Sequence, residues 1–159
     1  TPPSTPLQRS SLGGTSGLIP YILFDGNAAE ALTQYQAIFG GKLHLYNYEA
    51  LGRTDGPGEA IGHGMVIGAV ELAGADADSG EASVTMTGMF FSLLGTADPG
   101  TLTQWFDQLA DGGTIVDPLQ KRPWGDYDGT VTDRFGISWL IGYQMPETSD
   151  ADGATNAES

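Results

Sequence analysis

Cysteine is missing from all 159 positions of this sequence. Its absence excludes disulfide frameworks, thiolate metal sites and cysteine nucleophiles together. Basic side chains are scarce, since 6 Lys and Arg stand against 20 Asp and Glu and leave a formal net charge of −14. A surface so acidic repels phosphate backbones and anionic lipids, which predicts that neither nucleic acid nor a membrane surface is a partner.

Long apolar segments and common catalytic motifs are also missing. No apolar run approaches the roughly 20 residues of a membrane-spanning helix, and the N-terminus lacks the basic start and apolar core of a signal peptide. A cytoplasmic protein is therefore expected. The sequence contains no GxSxG, Walker or HExxH motif, and no Gly-rich turn between a strand and a helix for binding a nucleotide.

Composition along the chain predicts one domain between two tails. Residues 1–16 are rich in Pro, Ser, Thr and Gly, and residues 146–159 are polar and acidic, so both are predicted to be disordered. The segment 17–145 is long enough for a single packed domain. Within it we expect two units, at about 17–76 and 84–145.

Two amphipathic helices are predicted from apolar residues at helical spacing. The first spans 27–39, with Asn27 as N-cap and Glu30 completing a capping box. The second spans 99–110, with Asp98 as N-cap and Pro99 at the first helical position. Each helix is followed by a Gly-Gly pair, at 40–41 and at 112–113, which is typical of a helix end.

Eight strands account for the remainder, because the segments between the helices alternate or are rich in β-branched and aromatic residues. They are predicted at 18–24, 43–49, 61–67, 70–73, 85–94, 113–116, 129–132 and 137–143. Polar loops are predicted at 51–59 and 74–83. The resulting order is βαβββ followed by βαβββ.

An internal repeat supports this order. The residues LTQY at 32–35 align with LTQW at 102–105, and the same offset places the strand 21–24 on 91–94 without a gap. A repeated unit of this kind forms a curled sheet with a helix on its outer face, and a pair of units would enclose a partly apolar hollow suited to a small ligand. The alternative is two unrelated amphipathic helices that share three residues.

A longer set of residues resembles a known family. It consists of PLQK at 118–121, WG at 124–125, VTDRFG at 131–136 and Trp139, preceded by PY at 20–21, Gly26 and FGG at 39–41. These resemble the signature of the PhnB-like branch of the vicinal-oxygen-chelate (glyoxalase/bleomycin resistance/dioxygenase) superfamily, often labelled 3-demethylubiquinone 3-methyltransferase-like. The resemblance implies an α+β fold in which paired βαβββ units form a curled mixed sheet around a central cavity, usually in a homodimer.

The resemblance also implies places for a metal. Catalytic members hold a divalent ion with His, Gln or Glu from the first and last strands of each unit. Those places fall at about Pro20, Phe91, Leu140 and Glu71, and Glu71 alone among them can bind a metal, which normally needs three or four protein ligands. We therefore expect no cofactor, with a divalent metal at a non-standard site as the alternative.

His63 is the candidate catalytic residue. Many relatives read His-x-Glu at this place, whereas this chain reads His63-Gly64-Met65 and lacks the carboxylate. Two interpretations stay open: a contact with a ligand, or a histidine packed on a strand and hydrogen-bonded locally. His44 has no comparable support and is expected at the surface.

Four further residues are candidates for ligand binding: Glu71, Gln120, Lys121 and Trp124. The last three are expected in a loop-like stretch, where Lys121 would balance an anionic ligand and Trp124 would stack on a ring. The structural alternative is that this stretch shapes the edge of the sheet. The aspartates at 126, 128 and 133 are interpreted as turn formers, because their spacing does not match a calcium loop.

These observations predict a protein that binds a small organic molecule in the cavity between its units, without the standard metal site. The alternative is a lyase, isomerase or similar enzyme acting on a small carbonyl or ring compound through His63 or a non-standard metal site. A second alternative is a non-catalytic structural or interaction protein.

Overall fold

A computed structural model describes residues 17–145, so both predicted tails lie outside the described residues. The chain divides into two compact units, with the boundary between Thr85 and Met86. Each unit contains one helix and one four-stranded mixed sheet. Both helices have 12 residues, and neither helix of the described part has the length and apolar character to span a membrane.

Unit 1 has the predicted βαβββ order. Its elements are β1 Tyr21–Phe24, α1 Ala28–Phe39, β2 Lys42–Asn47, β3 Ile61–Ile67 and β4 Leu72–Asp76. The sheet order is β1-β4-β3-β2, with β1 parallel to β4 and the other pairs antiparallel. The last strand therefore lies between the first and the third.

Unit 2 repeats that topology. Its elements are β5 Phe91–Leu94, α2 Pro99–Ala110, β6 Thr114–Lys121, β7 Asp126–Thr132 and β8 Ser138–Gln144. The sheet order is β5-β8-β7-β6, again with one parallel pair, β5 and β8. The predicted α+β fold with two βαβββ units is confirmed. It consists of two four-stranded mixed sheets, one in each unit.

Each helix packs its predicted apolar stripe on its own sheet. Helix α1 buries Leu32, Tyr35 and Phe39, and α2 buries Leu102, Trp105, Phe106 and Leu109. Burying a large apolar side chain stabilises the folded state by about 1.5–3 kcal/mol. Burial of these stripes is therefore the main interaction that holds each helix on its sheet. Gly64 in β3 lets α1 approach closely, since a Cβ there would lie 2.7 Å from Leu32 Cδ1.

The two helices begin differently. Asp98 caps α2 as predicted, because its side chain accepts from Thr101 N at 3.2 Å. The capping box predicted for α1 is wrong, since Asn27 makes no side-chain cap bond. Asp76 replaces it: Oδ1 accepts from Ala28 N and Oδ2 from Ile61 N, both at 2.8 Å. One carboxylate from the end of β4 thus ties the start of α1 to the start of β3.

Two predicted strands have different ends in the structure. The fourth strand was predicted at 70–73 but spans Leu72–Asp76, so part of the predicted loop 74–83 belongs to the sheet. Gly74 and Asp76 have low strand propensity, and their pairing with β1 overrides it. The fifth strand is only Phe91–Leu94, where 85–94 was predicted. Gly88, with φ +72°, lies in the segment that stays outside the sheet.

The structure also corrects the alignment of the two first strands. In β1 the buried residues are Ile22 and Phe24, whereas in β5 the buried residue is Leu93. Phe91 shares that face, since its ring meets Trp139 edge to face. The buried Ile22 therefore corresponds to the buried Leu93, as the helix starts Ala28 and Pro99 also indicate, and the gapless alignment of 21–24 with 91–94 is wrong by one residue. A one-residue shift sends every side chain of a strand to the opposite face.

A candidate ligand site on the sheet of unit 1

One face of the unit 1 sheet packs on α1, and the opposite face, called here the far face, carries an aromatic cluster. Side chains alternate along β3, so His63 points away from α1 while Gly64 lies beneath it. Tyr46 on β2 is the register partner of His63 and shares its face. Tyr21 on β1 belongs to the same face, because Ile22 and Phe24 are turned toward the core. The far-face cluster consists of Tyr21, Tyr46 and His63.

The three rings of the cluster are nearly parallel. His63 lies 5.6 Å from Tyr21 and 6.2 Å from Tyr46 between ring centroids, with interplanar angles of 17° and 14°. Strand β4 runs between β1 and β3, and its small residue Ala73 is the register partner of both Tyr21 and Met65. A small residue in the middle strand leaves room for the Tyr21 side chain to reach His63. The strand order therefore brings the three residues of the cluster together.

Polar atoms give the cluster its chemistry. Tyr21 Oη and His63 Nδ1 are 2.9 Å apart and share a hydrogen bond. Burial lowers the pKa of His63 and raises the pKa of Tyr21, so both groups are neutral at pH 7. His63 Nε2 is buried and has no hydrogen-bond partner within residues 17–145. It is a donor if Tyr21 donates to Nδ1, and an acceptor if Nδ1 donates to Tyr21.

An unpartnered buried nitrogen of this kind costs about 1–3 kcal/mol. Such groups are rare in native proteins and each needs an explanation. Here the nitrogen belongs to a ring between two tyrosines that remain partly accessible, with exposed fractions of 52% for Tyr21 and 39% for Tyr46. The cluster thus combines one buried, unpaired polar atom with two partly accessible aromatic rings.

The protonation of His63 provides a test of this geometry. We expect His63 to titrate below its ordinary value of 6.5, because burial disfavours the imidazolium. The unfolded state then binds more protons in the window between the lowered value and 6.5. The native state is therefore destabilised as pH falls through that window, and the penalty is absent above about pH 7.

The chain has only two histidines, so a histidine NMR titration assigns both with one His44→Gln variant. A His63→Gln variant should lose less stability than the parent between pH 7 and pH 5. Titration of His63 at or above 6.5 would contradict the buried geometry.

Comparison with known proteins identifies the family. The model of the Glyoxalase/Bleomycin resistance protein/Dioxygenase superfamily matches residues 17–141. The chain belongs to this superfamily. It is also 33% identical over 140 residues to Protein YjdN of Escherichia coli (strain K12), an alignment that covers 78% of this chain and 92% of that protein.

Solved structures show the same fold. Protein PA1353 from Pseudomonas aeruginosa superimposes with a TM-score of 0.68 at 26% identity, covering 87% of this chain and 100% of that one. A protein from Bacillus cereus described as a putative 3-demethylubiquinone-9 3-methyltransferase, PhnB protein, gives a TM-score of 0.65 at 20% identity, covering 80% and 99%. The resemblance to the PhnB-like branch is thus matched by a structural neighbour of that description.

The metal of the catalytic superfamily members does not fit the residues found here. Pro20 and Leu140 carry no donor atom in their side chains, and Phe91 is turned toward Trp139. Among the described residues, no three His, Cys, Asp or Glu side chains come together as a metal-ligating group. Divalent metals of this class need three or four protein ligands. No step of a mechanism is therefore assigned to a metal.

Glu71 does not join His63. It precedes β4, and the register Val66↔Leu72 places it at the level of Ile67. His63 lies four residues back along β3, or about 13 Å at the usual rise per residue. The two residues share the far face but lie too far apart to hold one ion or one small ligand atom.

Gln120, Lys121 and Trp124 belong to unit 2. The first two lie in β6, where a loop-like stretch was predicted, and Gln120 Nε2 donates to Asp117 Oδ1 at 2.9 Å. Arg122 holds this hairpin together, because it binds both Asp117 and Asp128 at 2.6 Å. Trp124 is 69% exposed in the turn between β6 and β7. Gln120 and Arg122 thus make contacts within the hairpin, and the ligand-binding role of Gln120, Lys121 and Trp124 stays a prediction.

Sequence reasoning found His63 but missed its two tyrosine partners. Tyr21 was noted as part of the family motif, and Tyr46 was not singled out. The sequence signal for these two tyrosines is their position in the strands, because both alternate with the residues that face the core. Only the pairing of β2 with β3, and of β4 with both β1 and β3, shows that these faces coincide.

Proposed function

We propose that this superfamily member binds a small organic molecule at the far-face cluster, without the standard metal site. The observation that carries the proposal is His63 Nε2, which is buried without a partner between two nearly parallel tyrosine rings. A ligand atom that pairs with Nε2 would remove the cost of the unmet hydrogen bond. The tyrosine faces supply apolar contact area on either side.

The chemistry of the cluster favours a neutral planar compound. The net charge of −14 disfavours anionic ligands. Stacked rings favour flat molecules, and one nitrogen favours a single carbonyl, amide or hydroxyl at the ring edge. The arginines of the described ion pairs, Arg53 and Arg122, are not part of the cluster. We extend the proposal to a homodimer, as the family resemblance implies, and to a location in the cytoplasm.

The test uses 4-hydroxybenzamide as a planar probe and 4-hydroxycyclohexane-1-carboxamide as its saturated control. A fragment of about ten heavy atoms is expected to bind in roughly the millimolar range. Isothermal calorimetry should give about two- to twelvefold weaker binding for the saturated control, since aromatic pairs contribute about 0.5–1.5 kcal/mol. The Tyr46→Leu variant should weaken probe binding by a similar factor.

Tyr143→Leu is the matched control, because Tyr143 is a half-buried tyrosine of unit 2. This variant should leave probe affinity unchanged. Equal affinity for the planar and saturated compounds, or equal affinity of parent and Tyr46→Leu, would refute the proposed site.

A second candidate function is acid–base chemistry on a small carbonyl compound. The observation that favours it is the Tyr21–His63 hydrogen bond at 2.9 Å with a neutral imidazole. When Nδ1 donates to Tyr21, the lone pair of Nε2 can accept a proton from a carbon next to a carbonyl group. Exchange of the α-hydrogens of dihydroxyacetone for solvent deuterium would report this step. Deuterium exchange in the parent protein that is lost in the His63→Gln variant would support the enzymatic function.

A further inference from the structure

We propose that a cavity in unit 2 binds a small organic cation with an apolar shell, such as a quaternary ammonium compound. The cavity has a volume of about 480 Å³, within the range of small-molecule sites. It lies at the end of the sheet where β5 and β8 end and β7 begins, beside the start of α2. All its lining residues belong to unit 2, whereas the far-face cluster belongs to unit 1.

Aromatic and apolar groups form part of the lining. Tyr127 and Tyr143 are stacked, with 5.2 Å between ring centroids and an interplanar angle of 12°. Tyr143 Oη lies 3.3 Å from Thr103 Oγ1, which fixes that ring against α2. Leu94 and Ala97 add apolar surface. Tyrosine faces attract cations through the ring quadrupole, and the attraction grows when the cation is partly desolvated.

The charges of the lining have one sign. It contains Asp126 and Asp128 and no Lys, Arg or His. Asp128 is already paired, because Arg122 Nε binds its Oδ1 at 2.6 Å. Asp126 takes part in none of the ion pairs formed by the described residues. Asp126 therefore leaves a net negative charge at the cavity that a ligand cation would balance.

The nearby helix end does not offer an anion site instead. Backbone N–H groups at a helix N-terminus commonly bind anions. At α2, however, Asp98 already accepts from Thr101 N and from Thr101 Oγ1. Pro99 occupies the first helical position and has no N–H to offer. The helix terminus thus carries its own carboxylate, which leaves cation recognition as the chemistry of this cavity.

Choline is the probe, and 3,3-dimethylbutan-1-ol is its neutral control of the same shape. Aromatic NMR spectra of the protein should show saturable shifts at Tyr127 and Tyr143 on addition of choline. The neutral alcohol should bind at least about fivefold more weakly, because it lacks the charge that Asp126 and the rings recognise. Equal affinity for the two compounds, or choline shifts confined to other tyrosines, would overturn the proposal.

Variants of the cavity residues test which side chains recognise choline. Asp126→Asn should weaken choline binding at least about fivefold, and Tyr143→Leu should do the same through loss of the ring. Asp107→Asn removes one exposed carboxylate of α2 outside the cavity, and should leave affinity within twofold of the parent. Unchanged affinity in both cavity variants, with melting temperatures equal to the parent's, would refute the site. Probe binding at the far-face cluster is a separate measurement that none of these variants should alter.

Discussion

Replacing Asp133 with alanine is expected to lower the free energy of unfolding by about 3–5 kcal/mol. Asp133 lies in the turn between β7 and β8 and is only 6% exposed. Its Oδ1 accepts from Phe135 N at 2.9 Å and from Ile137 N at 3.0 Å, and its Oδ2 accepts from Trp139 Nε1 at 2.9 Å. Alanine would leave three N–H groups without this acceptor, in a region where water does not reach Trp139.

The measurement is urea unfolding at pH 7. All three tryptophans, at 105, 124 and 139, lie in unit 2, so their fluorescence reports on the unit that contains Asp133. Asp107→Ala on the exposed side of α2 is the control and should change stability by no more than about 0.5 kcal/mol. Equal stability of the two variants would show that the three hydrogen bonds do not hold the turn.

Gly41→Ala is the second large effect, with an expected loss of about 3 kcal/mol. Gly41 has φ +93°, a conformation that costs alanine about 1–2 kcal/mol. A Cβ there would also collide with the backbone carbonyl oxygen of Ile67. Because that neighbour is main chain, the clash is relieved only by moving the start of β2 away from the end of β3.

Gly40→Ala is the matched control. Gly40 has φ +79°, but nothing lies within 4 Å of a Cβ built on it. Its ψ of −170° places it in a region that glycine alone populates, so alanine should lose about 1–3 kcal/mol from conformation alone, without the clash, in urea unfolding followed by circular dichroism. If the two variants were equally stable, the close approach of Gly41 to β3 would not exist in solution.

A glycine also makes a close backbone approach directly before the second strand of unit 2. Gly113 directly precedes β6, as Gly41 precedes β2, and a Cβ on Gly113 would collide with the carbonyl oxygen of Thr132. Gly113 is not among the glycines with positive φ. Its backbone conformation thus places no extra demand on glycine, and the requirement there comes from the close approach alone.

Local signals were enough to predict the helices and the order of elements. The stripes of α1 and α2 and the Gly-Gly pairs that follow them depend on residues close in sequence, and the structure confirms them. The N-cap of α1 could not be found in this way. Asp76 lies 48 positions from Ala28, the residue whose N–H it binds. A partner so distant in sequence cannot be predicted from the residues around the start of the helix.

The site was less accessible to sequence reasoning than the fold. His63 was named because its place resembles a family feature. Its environment depends on β4 lying between β1 and β3, and on Ala73 being small. Gln120, Lys121 and Trp124, the other predicted ligand contacts, lie on the β6–β7 hairpin of unit 2. The hollow predicted between the two units stays a prediction.

The most direct test is the ¹⁵N spectrum of the two imidazoles with and without 4-hydroxybenzamide. If Nε2 of His63 is the atom that recognises ligands, its ¹⁵N shift moves saturably with the probe while both nitrogens of His44 stay in place. The saturated amide should move it far less. An Nε2 signal that stays fixed at probe concentrations well above millimolar, or that moves together with His44, would contradict the account.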